Sequence, residues 1–170
     1  MKAKERAKPP AKSSTRVRPA RLEDWPTLCG LLHEVEELHS RIWPSFFRNH
    51  GAPAWSPERL RDAIAASDES VQIAEEDGLV VGLVHATAFD TPEQPALVRT
   101  RRVHVDDLVV APRARRRGVG RRLLRAAEDW GRQSGATQCV LTVWEGNDAA
   151  VRFYAAMSYR DLNRVLIREI

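Results

Sequence analysis

The sequence predicts an α/β (α+β) fold in which a mixed, mostly antiparallel six- to seven-stranded sheet is flanked by helices. Three observations lead to this prediction. An Asp77-Gly78 turn separates two apolar segments, which is a strong short-range signal for a β-hairpin. Segments with helical apolar spacing lie both before and after that hairpin. In the second half of the chain, strand-like and helix-like segments alternate, so helices are expected on both faces of the sheet.

The first elements are a short strand at residues 15–18, which Pro19 closes, and a long amphipathic helix. The apolar residues of this helix are spaced three or four apart: Leu22, Trp25, Leu28, Leu32, Val35 and Leu38. Residues 41–57 break this period with prolines, yet they carry four aromatic residues, which is unusual for a solvated loop. The segment is therefore expected either to pack down as a lid or to line a pocket. Ser56, followed by Pro57, predicts the start of a short helix that ends near Ala66.

The remaining elements follow from the hairpin onward. Strands are predicted at 71–74 and 79–89 around the turn, and a third at 100–110. A helix at 118–134 is indicated by apolar residues on one face, namely Leu123, Leu124, Ala127 and Trp130. The chain is then expected to form a strand at 138–144, a short helix at 148–157, and one or two closing strands within 159–170.

The length and the position of the charge predict one domain with a tail. A chain of 170 residues with 43% hydrophobic content suffices for one core and is short for two. Residues 1–14 are rich in Lys, Pro, Ala and Ser, and are expected to be a disordered basic tail. They carry the whole net charge of +4, so the domain at 15–170 is formally neutral. This neutrality makes a nucleic-acid partner improbable.

The cysteines and the apolar segments restrict the setting of the protein. Cys29 and Cys139 show no CxxC spacing, so neither a disulfide framework nor a metal site is expected, and both are interpreted as free thiols. The basic beginning of the chain lacks the apolar stretch of a signal peptide, and no segment is apolar enough to span a bilayer. We therefore expect a cytoplasmic protein without a membrane partner.

The strongest candidate binding site follows the strand that ends at Val110. There the chain passes through a loop rich in arginine and glycine directly into a helix. Unpaired backbone N–H groups and the positive end of the helix dipole meet at such a junction, which favours a phosphate. Gly118 and Gly120 can adopt backbone angles closed to other residues and leave room for a ligand. A solvated arginine face or a nucleic-acid patch are the alternatives for this motif alone.

A second segment makes a family resemblance specific. The motif Arg115-x-x-Gly118-x-Gly120 resembles the acetyl-CoA signature (Q/R)xxGx(G/A) of the GNAT superfamily of N-acetyltransferases. Downstream, Asn147…Ala150…Phe153-Tyr154 resembles the second motif of that family. The resemblance covers residues 15–170 and implies an acetyl-CoA-dependent N-acetyltransferase with a GNAT-like acyltransferase fold. The family often has Gly-Phe where this chain has Ser158-Tyr159, so either a serine adopts the geometry that ends the second motif's helix or the helix ends differently.

The resemblance also implies roles for individual residues. Strand-end backbone would bind the pantetheine arm, the N–H groups of 116–121 would surround the pyrophosphate, and Asn147 would lie near the thioester. The expected cofactor-binding residues are Leu108, Val109, Val110, Arg115, Arg116, Arg117, Gly118, Val119, Gly120, Arg121 and Asn147. Tyr154 matches a tyrosine that in many relatives is the general acid for the departing thiolate. The alternative for Tyr154 is an aromatic residue of the core.

The base is sought among the acidic residues, because an alkylamine has a pKa of roughly 10 and arrives protonated. Asp106 and Asp107 interrupt the alternation of an apolar strand. Asp106 resembles the position of a glutamate that acts on the amine in several relatives, directly or through water. Either aspartate could instead pair with an arginine or cap a loop. His85 and His104 lie on strands, where a histidine is usually packed or exposed rather than catalytic.

The acceptor and the alternatives stay open at this point. An acidic cluster on the first helix and the two aspartates favour a cationic amine, in a small molecule or a peptide, whereas the aromatic residues favour an apolar group. These residues are Glu34, Glu36, Glu37, Trp43, Phe46, Phe47 and Trp55. A domain that binds acyl-CoA without turnover and, less readily, a nucleic-acid-binding module are the other functions considered. A homodimer is a further open alternative.

Overall fold

The computed structural model describes residues 14–48 and 51–168, and these form a five-stranded sheet with the order β1-β2-β3-β4-β5. The strands are β1 Arg16–Pro19, β2 Glu69–Glu76, β3 Leu79–Asp90, β4 Arg101–Val110 and β5 Gln138–Leu141. The first four pair antiparallel with their neighbours, and β5 lies parallel to β4. The predicted tail at 1–14 lies outside the described residues except for Ser14.

Four helices cover the two faces of this sheet, as predicted. They are α1 Trp25–Ile42, α2 Pro57–Ala65, α3 Val119–Gln133 and α4 Asp148–Ala156, with short 3-10 turns at Leu22–Asp24 and Pro112–Ala114. One apolar core joins α1 and α2 to the sheet through residues such as Leu28, Leu60 and Leu83. The other joins α3 to the opposite face through Leu123 and Val103, with part of α4 packed against it. The predicted fold class is thus confirmed.

Local sequence explains the sharp turns of this framework. Asp77 and Gly78 both have positive φ, 50° and 78°, which gives the hairpin the left-handed backbone that Asp-Gly turns favour. Ser56 accepts a hydrogen bond of 3.1 Å from the Arg59 N–H and caps α2, with Pro57 at its first position. Gly131 lets α3 approach β4 closely, because a Cβ there would lie 3.1 Å from Val103. The hairpin turn and the start of α2 were predicted from the same residues, whereas the function of Gly131 was not.

The predicted number of strands was wrong at the end of the chain. Residues 159–168 form no strand, and the strand predicted at 138–144 ends at Leu141. Val165 and Leu166 are 93% and 90% exposed. The physical reason is the pattern: residues 165–167 are apolar in succession rather than alternately, so pairing would bury only part of them on one face. The described sheet therefore has five strands instead of six to seven.

Two further findings concern the thiols and the membrane. Cys29 and Cys139 are free and half-buried. Within 14–48 and 51–168, none of the helices combines the length and the apolar character that a membrane span requires.

Candidate active site

The end of β4 has a strand neighbour on one side only. β4 pairs with β5 from Arg102 to Val105, and β5 then ends. Leu108, Val109 and Val110 continue to pair with β3, but within the described residues no strand lies on their other side. Because backbone groups at such an edge lack a ladder partner, this is a place where an extended ligand can bind the main chain. The three residues coincide with those expected to bind a pantetheine arm.

The loop after β4 has the backbone of an anion site. Arg116 and Gly118 both have positive φ, 62° and 86°, and Gly118 is the N-cap of α3 with no capping side chain. The N–H groups of the first turn of α3 are therefore not capped by the N-cap residue, and they meet the positive end of the helix dipole. A Cβ at Gly118 would have nothing within 4 Å, so the space beside it is open. A Cβ at Gly120 would lie 3.5 Å from the Phe153 ring, in ordinary contact with α4.

The arginines of this loop divide into two groups. Arg115 donates from Nε to the Val110 carbonyl at 2.8 Å and forms an ion pair of 2.9 Å with Glu34 on α1. Arg117 forms an ion pair of 3.1 Å with the buried Glu76 of β2. Both side chains thus hold the loop in place, which sequence reasoning had not distinguished from ligand contact. Arg116 and Arg121 are exposed, and nothing in the described chain pairs with their guanidinium groups.

A β-bulge brings the two aspartates together. His85 of β3 lies opposite Asp107 and Ala86 opposite Val105, so Asp106 is the additional residue of β4. The sequence pattern that indicated an interruption was therefore correct. Both carboxylates lie beside the same histidine, with Asp107 Oδ2 at 3.6 Å and Asp106 Oδ2 at 3.7 Å from His85 Nδ1.

The two carboxylates have different surroundings. Asp106 Oδ2 accepts a hydrogen bond of 2.8 Å from the Thr87 hydroxyl, and Oδ1 lies 2.8 Å from His104 Nδ1. Desolvation opposes ionisation, but the hydrogen bonds from His104 and Thr87 and the nearby imidazoles lower the pKa of Asp106 below its usual value. Asp107 acts electrostatically on Tyr154 of α4 and on His39 of α1. Asp106 thus has two hydrogen-bond partners within the sheet, whereas Asp107 lies near His85 and also acts electrostatically on residues of the two flanking helices.

His85 connects the aspartates to a further pair of charges. Its side chain is 6% exposed, and Nε2 lies 2.9 Å from Glu69 Oε2. Glu69 also forms an ion pair of 2.6 Å with Arg59 of α2. Burial opposes protonation of His85, but Asp107, Glu69 and Asp106 together raise its pKa above the ordinary value. Sequence reasoning missed Glu69 and Arg59, because their proximity depends on strand pairing and on where α2 packs.

Tyr154 lies on α4 among apolar groups. Its ring centroid is 5.1 Å from that of Phe153 and 5.6 Å from that of Tyr159. Burial, with smaller contributions from Cys139 and Asp107, raises the pKa of Tyr154 well above its usual value, so the hydroxyl keeps its proton at neutral pH. In the described chain no group forms a hydrogen bond with this hydroxyl. The hydroxyl is therefore protonated and available to donate a hydrogen bond.

The ends of α4 are set by the motif residues beside Tyr154. Asn147 Oδ1 accepts a hydrogen bond of 3.2 Å from the Ala150 N–H, so Asn147 caps the helix that carries the tyrosine. Ser158 has a φ of 67° and ends the same segment. Of the two alternatives for this turn, the structure has the serine in the geometry that ends the helix.

The aromatic residues of the segment 41–57 make ring contacts in two different parts of the structure. Trp55 packs edge-on against His85, at 4.8 Å between ring centroids. Phe46 and Phe47 instead contact Trp144, at 5.2 and 4.7 Å, and Phe47 lies 4.9 Å from His39. The Trp43 indole donates to the Glu145 carbonyl at 2.9 Å and links the end of α1 to the segment before α4. Whether the segment acts as a lid or lines a pocket stays a prediction. His39 and Trp144 are members of the aromatic group that sequence reasoning missed.

The fold thus places near one another a strand end with one open side, an uncapped helix start, a protonated tyrosine and a pair of aspartates. Among residues 14–48 and 51–168, His, Cys, Asp and Glu side chains form no group of three or more suited to a metal ion. Residues 32–159 match the model of the Acetyltransferase (GNAT) family, and the chain belongs to that family. The family resemblance inferred from the two motifs is thereby confirmed.

Individual relatives support the same assignment. An uncharacterized N-acetyltransferase of Bacillus subtilis (strain 168), YhfO, is 28% identical over 147 residues, which are 85% of this chain and 89% of the relative. A crystal structure of a variant of the BH1408 protein from Bacillus halodurans has the same fold, with a TM-score of 0.86 at 23% identity over 91% of this chain and 99% of that one. The aminoglycoside N-acetyltransferase AAC(6')-Iy, solved with a CoA bisubstrate analogue, has a TM-score of 0.70 at 19% identity over 93% and 99% of the chains.

Proposed function

We propose that this protein is an N-acetyltransferase that transfers the acetyl group of acetyl-CoA to an amine by direct attack of the amine. The observation that carries the proposal is the continuity of two binding features. The end of β4 at Leu108, Val109 and Val110 pairs with β3 but has no strand neighbour on its other side within the described residues. It leads, within one short loop, into the uncapped start of α3 at Gly118. A ligand with a peptide-like arm followed by a pyrophosphate matches that sequence of features. That AAC(6')-Iy is solved with CoA supports this choice.

The residues on this path fit acetyl-CoA. The main chain of β4 would hold the pantetheine arm, the N–H groups of 116–121 would hold the pyrophosphate, and Arg116 and Arg121 would add charge. Arg115 and Arg117 would contribute through their backbone and through the shape of the loop, because their side chains pair with Glu34 and Glu76. When bound, the cosubstrate supplies an acetyl thioester.

The protein supplies groups that hold or move two protons. Asp106 is the proposed base. Because both of its oxygens already accept hydrogen bonds, we propose that it receives the amine proton through a water rather than by direct contact. Asp107 adds a negative charge that would hold the ammonium form of the acceptor on the side of His39 and Tyr154. Tyr154 is the proposed general acid, which would give its proton to the departing sulfur.

The acceptor is proposed to be a cationic amine, in a small molecule or at a peptide amine. The acidic pair on β4 favours a cation, and the aromatic cluster of Phe46, Phe47 and Trp144 can pack on an apolar part of it. A cytoplasmic protein with access to acetyl-CoA is the corresponding setting. The aminoglycoside activity of AAC(6')-Iy belongs to that protein, and it makes aminocyclitol amines one class worth testing.

The experiment is a thiol-release assay with acetyl-CoA across small polyamines, aminoglycosides and peptides with free amines. We expect amine-dependent release of CoA and acetylation of the amine detected by mass spectrometry. Thermal unfolding is measured in parallel, and acetyl-CoA at saturating concentration should raise the melting temperature whereas acetate should not. Stabilisation by acetyl-CoA without release for any amine would favour a non-catalytic binding domain. No stabilisation by millimolar acetyl-CoA would contradict the proposed site itself.

A further inference from the structure

His85 occupies an unusual position for a strand residue. Its ring is buried between carboxylates from two neighbouring strands: Glu69 of β2 at 2.9 Å from Nε2, and Asp107 and Asp106 of β4 at 3.6 and 3.7 Å from Nδ1. In the described residues, Nδ1 is the one buried side-chain nitrogen or oxygen that lacks a hydrogen-bond partner. A buried polar atom without a partner requires a physical reason.

The charges around the ring supply that reason. The charge of Glu69 is already neutralised by Arg59, whose guanidinium donates hydrogen bonds of 2.6 and 3.3 Å to the two carboxylate oxygens. Among the described residues, the ion pairs of the two aspartates are with imidazoles alone: His104 lies 2.8 Å from Asp106, and His85 lies within 3.7 Å of both carboxylates. Two adjacent carboxylates without a cation repel each other, and one of them then tends to stay protonated. An imidazolium at His85 lies within ion-pair distance of both.

The other groups facing His85 do not compete for this function. Trp55 covers one edge of the ring at 4.8 Å and restricts water from that side. Thr87 donates to Asp106 but carries no charge. Tyr154 of α4 keeps its proton and contributes no charge at neutral pH. The bulge that places Asp107 opposite His85 thus brings both carboxylates to one cation.

We propose that His85 is a positioning residue: held by Glu69, it keeps the Asp106–Asp107 pair ionised and directed toward the acceptor. The inference rests on the proposed acetyltransferase function, because the aspartates matter through the acceptor amine. His85 itself touches neither substrate nor reacting atoms. Its function is to set the lower end of the pH range in which the pair can bind and deprotonate a cation.

The pH range in which this ion pairing operates follows from the titration of His85. Burial opposes its charge but the carboxylates raise the pKa of His85, so the imidazolium persists above the ordinary value of about 6.5. The stabilising effect of the His85 imidazolium is complete at pH values below the ordinary histidine pKa, and it is lost as the pH rises through the raised pKa of His85. The carboxylates, in turn, are ionised above their own pKa values. The pair and its cation therefore coexist from mildly acidic pH up to the raised pKa of His85.

The test compares His85→Gln and His85→Asn with wild type in two measurements. The aspartate carboxyl pKa values are followed by NMR in the protein without ligands, and kcat/KM is measured against pH. Without the cation we expect at least one aspartate pKa to rise by about one unit or more, and the acidic limb of kcat/KM to move by the same amount. Two variants are used so that, if one of them fails to fold, the other can still be measured.

The matched control is His33→Gln. His33 also lies 3.6 Å from each of two carboxylates, Glu36 and Glu37, but it is on the exposed surface of α1. Its replacement should leave both the aspartate pKa values and the pH profile unchanged. In wild type, the imidazole of His85 should titrate above about 6.5 by NMR, and this measurement needs no variant.

The outcomes separate the two proposals. A His85 pKa below its ordinary value, or unchanged aspartate pKa values in a folded His85→Gln protein, would overturn the positioning function. Absence of turnover with every amine would instead contradict the proposed enzyme activity, while the NMR titrations would still decide on His85. A loss of kcat without a displaced acidic limb would likewise count against the inference.

Discussion

Replacement of Tyr154 by phenylalanine removes one hydroxyl from the site. No group in the described chain forms a hydrogen bond with that hydroxyl, and the ring contacts with Phe153 and Tyr159 do not depend on it. The free energy of unfolding should therefore change by less than about 0.5 kcal/mol. If the hydroxyl is the general acid, kcat should fall by about 10²–10⁴, which corresponds to about 2.7–5.5 kcal/mol in the barrier.

The assay is steady-state turnover at saturating acetyl-CoA, with cofactor affinity measured by calorimetry and stability by chemical denaturation. Affinity should stay nearly constant, because the interaction is made mainly in the transition state. Tyr159→Phe is the matched control: its hydroxyl donates to Glu128 at 2.9 Å, so its loss should cost about 1–3 kcal/mol of stability and leave kcat near wild type. Intact turnover with reduced stability in Tyr154→Phe would refute the reasoning. Equal losses of turnover and affinity would make Tyr154 a cofactor contact.

Three further predictions concern the loop, the tail and the helix cap. Gly120→Leu should abolish acetyl-CoA binding in a folded protein, whereas Gly120→Ala should keep the fold, because its Cβ would make only an ordinary contact of 3.5 Å with Phe153. Thermal unfolding with and without acetyl-CoA measures both variants, and undiminished binding by the leucine variant would count against the loop assignment. Deleting residues 1–14 should leave kcat and KM within a few fold, since β1 begins only at Arg16; a large loss of turnover with a small acceptor would show that the tail reaches the site. Asn147→Ala should lower stability by about 1 kcal/mol through loss of the α4 cap, measured by denaturation, and unchanged stability would mean that the cap contributes little.

The fold followed from the sequence wherever a local pattern determines the backbone. The Asp77-Gly78 hairpin, the Ser56 cap and the helix after Gly118 are all encoded in a few adjacent residues. The interruption of alternation at Asp106 and Asp107 coincides with the bulge, although a bulge was not predicted from it. One or two closing strands were predicted within 159–170, but apolar residues without alternation do not define a buried face.

The candidate site was predictable only where one segment supplies it. The loop residues and Tyr154 belong to short motifs and were found from them. Glu69 and His39 come from distant parts of the chain, and their proximity to the aspartates depends on strand register and helix packing. The pairing of Arg117 with the buried Glu76 also could not be read from an arginine-rich run, in which every arginine has the same local signature.

That pairing has a consequence for the energetics of binding. The ion pairs Arg115–Glu34 and Arg117–Glu76 hold the loop between β4 and α3 against α1 and β2 in the protein without a ligand. The ordering entropy of the loop is therefore lost when the chain folds, and little of it remains to be lost on association. Under the proposed function, such preorganisation would make Glu34 and Glu76 contribute to the affinity for acetyl-CoA without contacting it, although neither carries a charge that an anion would favour.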